Sequence, residues 1–199
     1  MTEDVRRLNI HHLDDVWRVH SEAFQNDEPL LHILQYSRED LEKMNRFVDE
    51  LFLCDGSYDV YGLFHDGDLV CISLCHRGNL TPKTRYSLKF LMGMLRDLGV
   101  IKSLRALKFF AILSMMSRYD SDCVRLVAIG ASDSGRGGGC GTKMLRFLRN
   151  TFGDEGYRFI QLEVEEVNPA KGLYLREGFK VVNEFETCGV SWNVMVQAL

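Results

Sequence analysis

Apolar positions along the chain switch between two periods, and the switches mark the elements. Val5 to Ile10 is a short β-prone stretch, after which Leu13, Val16, Trp17, His20 and Phe24 recur at helical spacing. Ser37-Arg38-Glu39-Asp40 is a capping-box pattern, and Leu41, Met44, Phe47, Val48 and Leu51 continue it as a second helix. Tyr58 to Phe64 and Leu69 to Cys75 flank Asp66-Gly67, which predicts a hairpin whose turn uses the positive φ open to glycine. Residues 86–98 and 101–118 read as two helices broken at Gly99, and Val124 to Ile129 as a buried strand. Helical spacing returns from Gly139 to Phe152. Phe159 to Val164 alternates as a strand, a short helix covers about Pro169 to Arg176, and strands close the chain at 180–185 and 190–196. No repeat, low-complexity segment or Pro/Ser-rich linker divides the 199 residues, so a single domain over 1–199 is expected.

Composition narrows the class. An apolar content of 46% with 26% charged residues excludes a disordered tail. No apolar run reaches the roughly 20 residues of a membrane span, and the acidic start of the chain gives no sign of a signal peptide. Six cysteines in apolar surroundings suit reduced thiols, so a soluble cytoplasmic protein is expected. The formal charge of −4 hides an asymmetry: residues 80–119 hold eight basic residues against Asp97, while the rest of the chain is strongly acidic. Such a basic block is either a solvated helical face or the mark of an anionic partner. Within it, Leu88, Leu91, Met92 and Leu95, then Leu104, Leu107, Phe110, Leu113 and Met116, form stripes expected to be buried. A helical lid over a ligand pocket, using Met92, Met115 and Met116, is the first reading, and a dimer interface the second.

Chemistry concentrates at Gly130-Ala-Ser-Asp-Ser-Gly-Arg-Gly-Gly-Gly-Cys-Gly-Thr142, between an apolar strand and a helix. Successive N–H groups and a helix N-terminus at one point make an anion site. The order Gly141-Thr142-Lys143 is not that of a P-loop, the dinucleotide fingerprint finds no register, and Ser134 stands where a nucleophile elbow needs glycine. Arg136-x-x-Gly139-x-Gly141 does fit a pattern. With Leu162-Glu163-Val164 followed by Asn168, and Leu173-Tyr174 followed by Gly178-Phe179, it resembles the GNAT superfamily of acyl-CoA-dependent N-acetyltransferases over residues 124–185.

That resemblance implies an α/β (α+β) fold: a central mixed, mostly antiparallel twisted sheet of about seven strands flanked by helices, here with a helical insertion at about 80–119 between the third and fourth strands. It implies acetyl-CoA as co-substrate, no metal, and transfer of the acetyl group to a primary amine by direct attack. Ile129, Gly130 and Ala131 would offer backbone groups to the pantetheine arm, and Arg136, Gly137, Gly138, Gly139, Cys140, Gly141 and Thr142 would hold the pyrophosphate. Asn168 would contact the arm, Ile129 N–H would polarise the thioester carbonyl, and Tyr174 would be the general acid. Glu163 is the expected base, with Glu165 or a water relay as alternatives. The acceptor is a small-molecule or protein amine, and acidic residues near the mouth (Asp27, Glu28, Glu163, Glu165, Glu166) would suit a cation. Neither nucleic acid nor membrane is expected as a partner, and a homodimer stays open. A catalytically silent acyl-CoA-binding regulatory module is the alternative function.

Overall fold

The computed structural model describes residues 3–25, 28–78, 84–116 and 121–199, with only the backbone described at 28, 29, 84 and 113–116. The elements are β1 (Glu3–Arg7), a 3-10 turn (Ile10–His12), α1 (Leu13–Phe24), α2 (Glu28–Leu34), α3 (Arg38–Cys54), β2 (Tyr58–His65) and β3 (Asp68–Arg77). There follow α4 (Thr84–Asp97), α5 (Val100–Met116), β4 (Cys123–Ala131), α6 (Cys140–Asp154), β5 (Phe159–Glu165), α7 (Lys171–Arg176), β6 (Lys180–Thr187) and β7 (Val190–Ala198). The described strands form a seven-stranded sheet in the order β1-β2-β3-β4-β5-β7-β6. β4 and β5 run parallel and the other neighbours antiparallel. This is the mostly antiparallel sheet with a helical insertion that the sequence suggested.

Local chemistry sets the boundaries. The Ser37 hydroxyl accepts the Asp40 N–H at 3.2 Å, and the Asp40 carboxylate accepts the Ser37 N–H at 2.9 Å, completing the box that starts α3. Asp66 (φ 49°) and Gly67 (φ 96°) take the paired left-handed conformations that let a two-residue turn follow the twist of β2 and β3. The sequence reading missed α2. Its apolar residues Leu30, Leu31, Ile33 and Leu34 fill seven residues, too few to establish a period, although Pro29 near its start is a helix-entry signal.

The sheet separates two layers. On one face α6 and α7 press Met144, Leu145, Leu148, Phe152 and Tyr174 against Cys71, Val124, Ile160 and Leu162. On the other, α1 and α3 cover β2 and β3 through Val16, Val19, Phe52, Ile72 and Leu74. Farther along that second face, α2, α4 and α5 cover β6 and β7, with Leu34, Met94, Leu98, Ala106 and Phe109 on Phe185, Trp192 and Val194.

The insertion corrects one expectation. Leu88 (54% exposed), Met92 (62%) and Leu104 (58%) face outward, and the residues that go inside are Met94, Leu98, Ala106 and Phe109. Both helices are apolar on two faces, so periodicity alone does not say which face meets the core. The side chains of Leu113, Met115 and Met116 lie outside the described residues. The hairpin is moored by Lys102, which donates to both Asp40 oxygens at 2.7 and 2.6 Å, and by the Tyr36 hydroxyl, which donates to Lys102 O at 3.0 Å.

Candidate active site

β4 and β5 pair only at Cys123 with Phe159, Val124 with Ile160 and Arg125 with Gln161. Beyond that point β4 stays with β3 as far as Ala131, and β5 stays with β7 as far as Glu165, so the two strands part in the middle of the sheet. The outer half of β4 is accordingly uncovered: Val127 is 40% exposed, and Ala128 to Ala131 are half-buried. Ser132 N–H donates to Val70 O at 2.9 Å, and Gly130 lies opposite Ile72, so the alternation of the ladder turns Ser132 and Gly130 toward β3. It turns the N–H groups of Ile129 and Ala131 the other way, into the split. Of the three residues read as arm contacts, two therefore present their N–H groups there. Gly130 is needed for another reason: a Cβ on it would meet the Ala23 Cβ at 2.5 Å, so its lack of a side chain seats α1 on β4.

At the open end of β4 the chain turns into the N-terminus of α6. Within this loop Gly135 and Arg136 donate to Ser132 O at 3.0 and 3.1 Å, and Gly138 donates to Gly135 O at 3.3 Å. Asp133 N–H goes to the Glu22 carboxylate at 3.0 Å. The N–H groups of Gly137, Gly139, Gly141 and Thr142 have no partner among the described residues. Gly137 (φ 77°) and Gly139 (φ 75°, capping α6) are left-handed, and a Cβ on either would point into open space. Unpaired N–H groups around a helix N-terminus, with nothing standing over them, form an anion cradle. Gly141 serves packing as well, since a Cβ there would meet Leu173 Cδ2 at 2.8 Å; without one, α7 comes close to α6.

Not every residue of the motif faces the cradle. The Arg136 guanidinium donates to Glu22 O at 2.7 Å and pairs with Asp133 at 3.3 Å, so it fastens the loop to the end of α1. The N–H of Gly138 is spent inside the loop. The Cys140 thiol is buried, and burial pushes its pKa up despite Lys143 nearby, which makes it inert packing rather than a nucleophile. Asn168 accepts the Ala170 N–H at 2.9 Å, which shapes the entry to α7.

α7 places Tyr174 in the core beside Phe179, with ring centroids 5.7 Å apart. Burial, with the Cys71 thiol as a second cause, pushes its pKa well above the ordinary tyrosine range, so the hydroxyl stays protonated. That hydroxyl makes no hydrogen bond among the described residues.

Glu163 lies on the other face. Arg125, two residues short of it across the parallel register, binds Oε2 through Nε at 2.9 Å and Nη2 at 2.8 Å; the Glu163 side chain is 5% exposed. An oxygen that would take a proton from an amine is thus already occupied by two guanidinium N–H groups. Replacing Glu163 by Ala, which removes two charge-assisted hydrogen bonds of the mostly buried Arg125, is expected to lower stability by about 1–3 kcal/mol in a denaturant titration. Glu165 is buried, and Glu166 is bound by Lys171 and Asn193 at 2.6 Å each, which holds its carboxyl below the usual range. The acidic residues expected at a mouth are thus already partnered where described. Asp27 lies outside the described residues, as does the Glu28 side chain.

One pair escaped the sequence reading. His20 of α1 and Asp49 of α3, both buried, meet at 2.6 Å through Nδ1 and Oδ1, and the His20 ring stands edge-on to Phe24 at 5.1 Å. A separation of 29 residues between two helices leaves no local signal for it. Among the described residues, no group of three or more His, Cys, Asp or Glu side chains is placed to hold a metal ion, and no described helix is long and apolar enough to cross a membrane.

No family model matches the chain, and no curated protein matches it in sequence. Solved structures do match. A Corynebacterium glutamicum protein described as histone acetyltransferase HPA2 and related acetyltransferase superposes with a TM-score of 0.68 at 20% identity, over 98% of this chain and 96% of that one. A Desulfovibrio desulfuricans protein assigned to the GNAT family of acetyltransferases gives 0.65 at 13% identity, over 99% of both chains. The PaiA N-acetyltransferase of Thermoplasma acidophilum, solved in complex with coenzyme A, gives 0.57 at 15% identity over the whole of both chains. The chain has the GNAT acetyltransferase fold.

Proposed function

We propose that the chain is a GNAT N-acetyltransferase, moving an acetyl group from acetyl-CoA to a primary amine on a small molecule or a protein. The observation that carries this reading is the meeting of two features at one end of β4. The strand edge left unpaired by the split runs directly into the unpaired N–H groups at the start of α6. A thioester cofactor with a pyrophosphate and an amide-bearing arm needs both, in that order along a chain, and the open space above Gly137 and Gly139 admits the phosphates.

Acetyl-CoA would supply the activated acyl group; the protein supplies position and protons. In this reading the N–H groups of Gly137, Gly139, Gly141 and Thr142 receive the pyrophosphate, and Ile129 and Ala131 receive the arm. A single N–H in the split, that of Ile129, polarises the carbonyl that the amine attacks. The amine loses a proton as its bond to the acyl carbon forms, and the departing sulfur gains one from Tyr174, which burial keeps protonated. Asn168 directs its remaining amide nitrogen to the arm. Glu163 takes the amine proton only by loosening its pair with Arg125, so a water chain, or Glu165 on the same strand face, shares that role.

The test follows thiol release from acetyl-CoA over a panel of amines: small amines, amino acids, polyamines and peptides with free N-termini or lysines. Release that depends on the acceptor is expected. Tight acetyl-CoA binding without release from any acceptor would favour a silent acyl-CoA-binding regulatory module, and absence of binding would overturn the reading.

A further inference from the structure

The α4–α5 hairpin is apolar inside and outside. Inside, Met94, Leu98, Ala106 and Phe109 meet β6 and β7. Outside, Leu88, Met92 and Leu95 form a stripe along α4, and Ile101, Leu104 and Leu107 form another along α5; Met92 and Ile101 are 62% and 68% exposed. Large apolar side chains concentrated on one outward face are a mark of an interface, not of a solvated surface.

Charge identifies what covers it. At 100° per residue, Arg85, Lys89 and Arg96 line one border of the α4 stripe, and Lys108 stands within the outward face of α5. Asp97 is the one acid among the described residues of the two helices, and Arg96 already holds it at 2.6 and 2.8 Å. Lys89 reaches back to Glu50 of α3, but Arg105 and Lys108 have no carboxylate partner among the described residues. A second copy of this chain fits poorly. In a two-fold pair the face meets itself, which sets Arg85 and Lys108 against their own copies, while the acids beside them, Asp97 and Glu50, are already held by Arg96 and Lys89. An anionic lipid surface offers what the face lacks, phosphate and carboxylate at the rim and hydrocarbon at the centre. The helices, about 21 and 26 Å long at 1.5 Å per residue, are too short to span a bilayer but suited to lie in its interface.

We propose that the outer face of the α4–α5 hairpin seats the protein on anionic membrane, its six apolar side chains entering the headgroup boundary and its cations meeting the lipid phosphates. The proposal departs from the expectation, drawn from the sequence, that a membrane is not a partner.

Flotation of the full chain with vesicles of phosphatidylserine and phosphatidylcholine, against vesicles of phosphatidylcholine alone, tests it. The chain is expected to float with the mixed vesicles and to fall away as salt rises. Arg85→Glu with Lys108→Glu is expected to weaken partitioning by at least about 30-fold. Met92→Glu with Leu104→Glu is expected to abolish it. Because these residues are exposed, circular dichroism and acetyl-CoA titration of both variants should match the parent, whether or not any acceptor is turned over. The proposal fails if the folded parent stays with the aqueous fraction, or if it binds phosphatidylcholine alone equally well and ignores charge reversal. It fails also if Met92→Glu with Leu104→Glu halves the solution mass, which would assign the face to a second copy.

Discussion

Gly139→Val should abolish acetyl-CoA binding and leave a folded protein. Gly139 is the N-cap of α6 with φ 75° and ψ 12°, a left-handed conformation that costs a β-branched residue about 1–2 kcal/mol. That cost is local, because a Cβ at this position meets nothing within 4 Å and displaces no neighbour. The same open space is where the phosphates would lie, so the valine methyl groups would occupy it and cover the N–H groups of Gly137, Gly141 and Thr142. Each charge-assisted hydrogen bond lost is worth about 1.5–3 kcal/mol, so the dissociation constant should rise by at least about 10³-fold. Gly139→Asn separates strain from blockage, since asparagine tolerates the left-handed region but still fills the space. The asparagine variant should melt near the parent and still fail in calorimetric titration with acetyl-CoA. Parent-like affinity in both variants would move the phosphate site away from this loop.

The glycine loop was legible in the sequence because its requirements are local. A strand, a run of residues without Cβ atoms and a helix start follow one another, and each leaves a compositional mark. The hairpin turn at Asp66-Gly67 and the Ser37 capping box were legible for the same reason. Contacts between distant segments were not. Arg125 and Glu163 are 38 residues apart and meet only because β4 and β5 pair for three residues before parting. Glu22 reaches the loop across 111 residues to Asp133. Nothing near Arg136 announces that its guanidinium would turn to the end of α1. The outward face of the hairpin was misread for a different reason. α5 is apolar nearly all round, and the pattern that identifies a helix carries no information about which side the sheet lies on.

Gly135 shows how tightly the loop is set against the sheet. A Cβ on it would come within 2.6 Å of Val70 O, the same carbonyl that takes the Ser132 N–H and hydroxyl. The loop therefore begins as an extension of the β3–β4 ladder, and only after Arg136 does the backbone turn free. The rigid half fixes the direction of β4 and α6; in the later half the N–H groups of Gly137, Gly139, Gly141 and Thr142 stay without a partner among the described residues, while that of Gly138 closes the loop on Gly135 O. This division explains why the motif needs more glycine than the cradle alone would use.

Tyr174→Phe should lower turnover by about 10²–10⁴-fold with little change in acetyl-CoA affinity. The residue is buried, and its hydroxyl has no hydrogen-bond partner among the described residues, so removal of the hydroxyl strands no protein group and costs little stability. The ring keeps its edge-on contact with Phe179 at 5.7 Å, and α7 stays in register. What disappears is a donor that burial holds in its protonated form, so the departing thiolate would have to find its proton in water. The effect belongs to kcat, because the cradle and the β4 edge proposed to receive acetyl-CoA lie on other residues. It should also shrink with acyl donors whose leaving thiol is more acidic, since a better leaving group needs less protonation in the transition state. A phenylalanine variant with parent kcat on every donor would show that the hydroxyl does not reach the sulfur, and that water already protonates the thiolate in the parent.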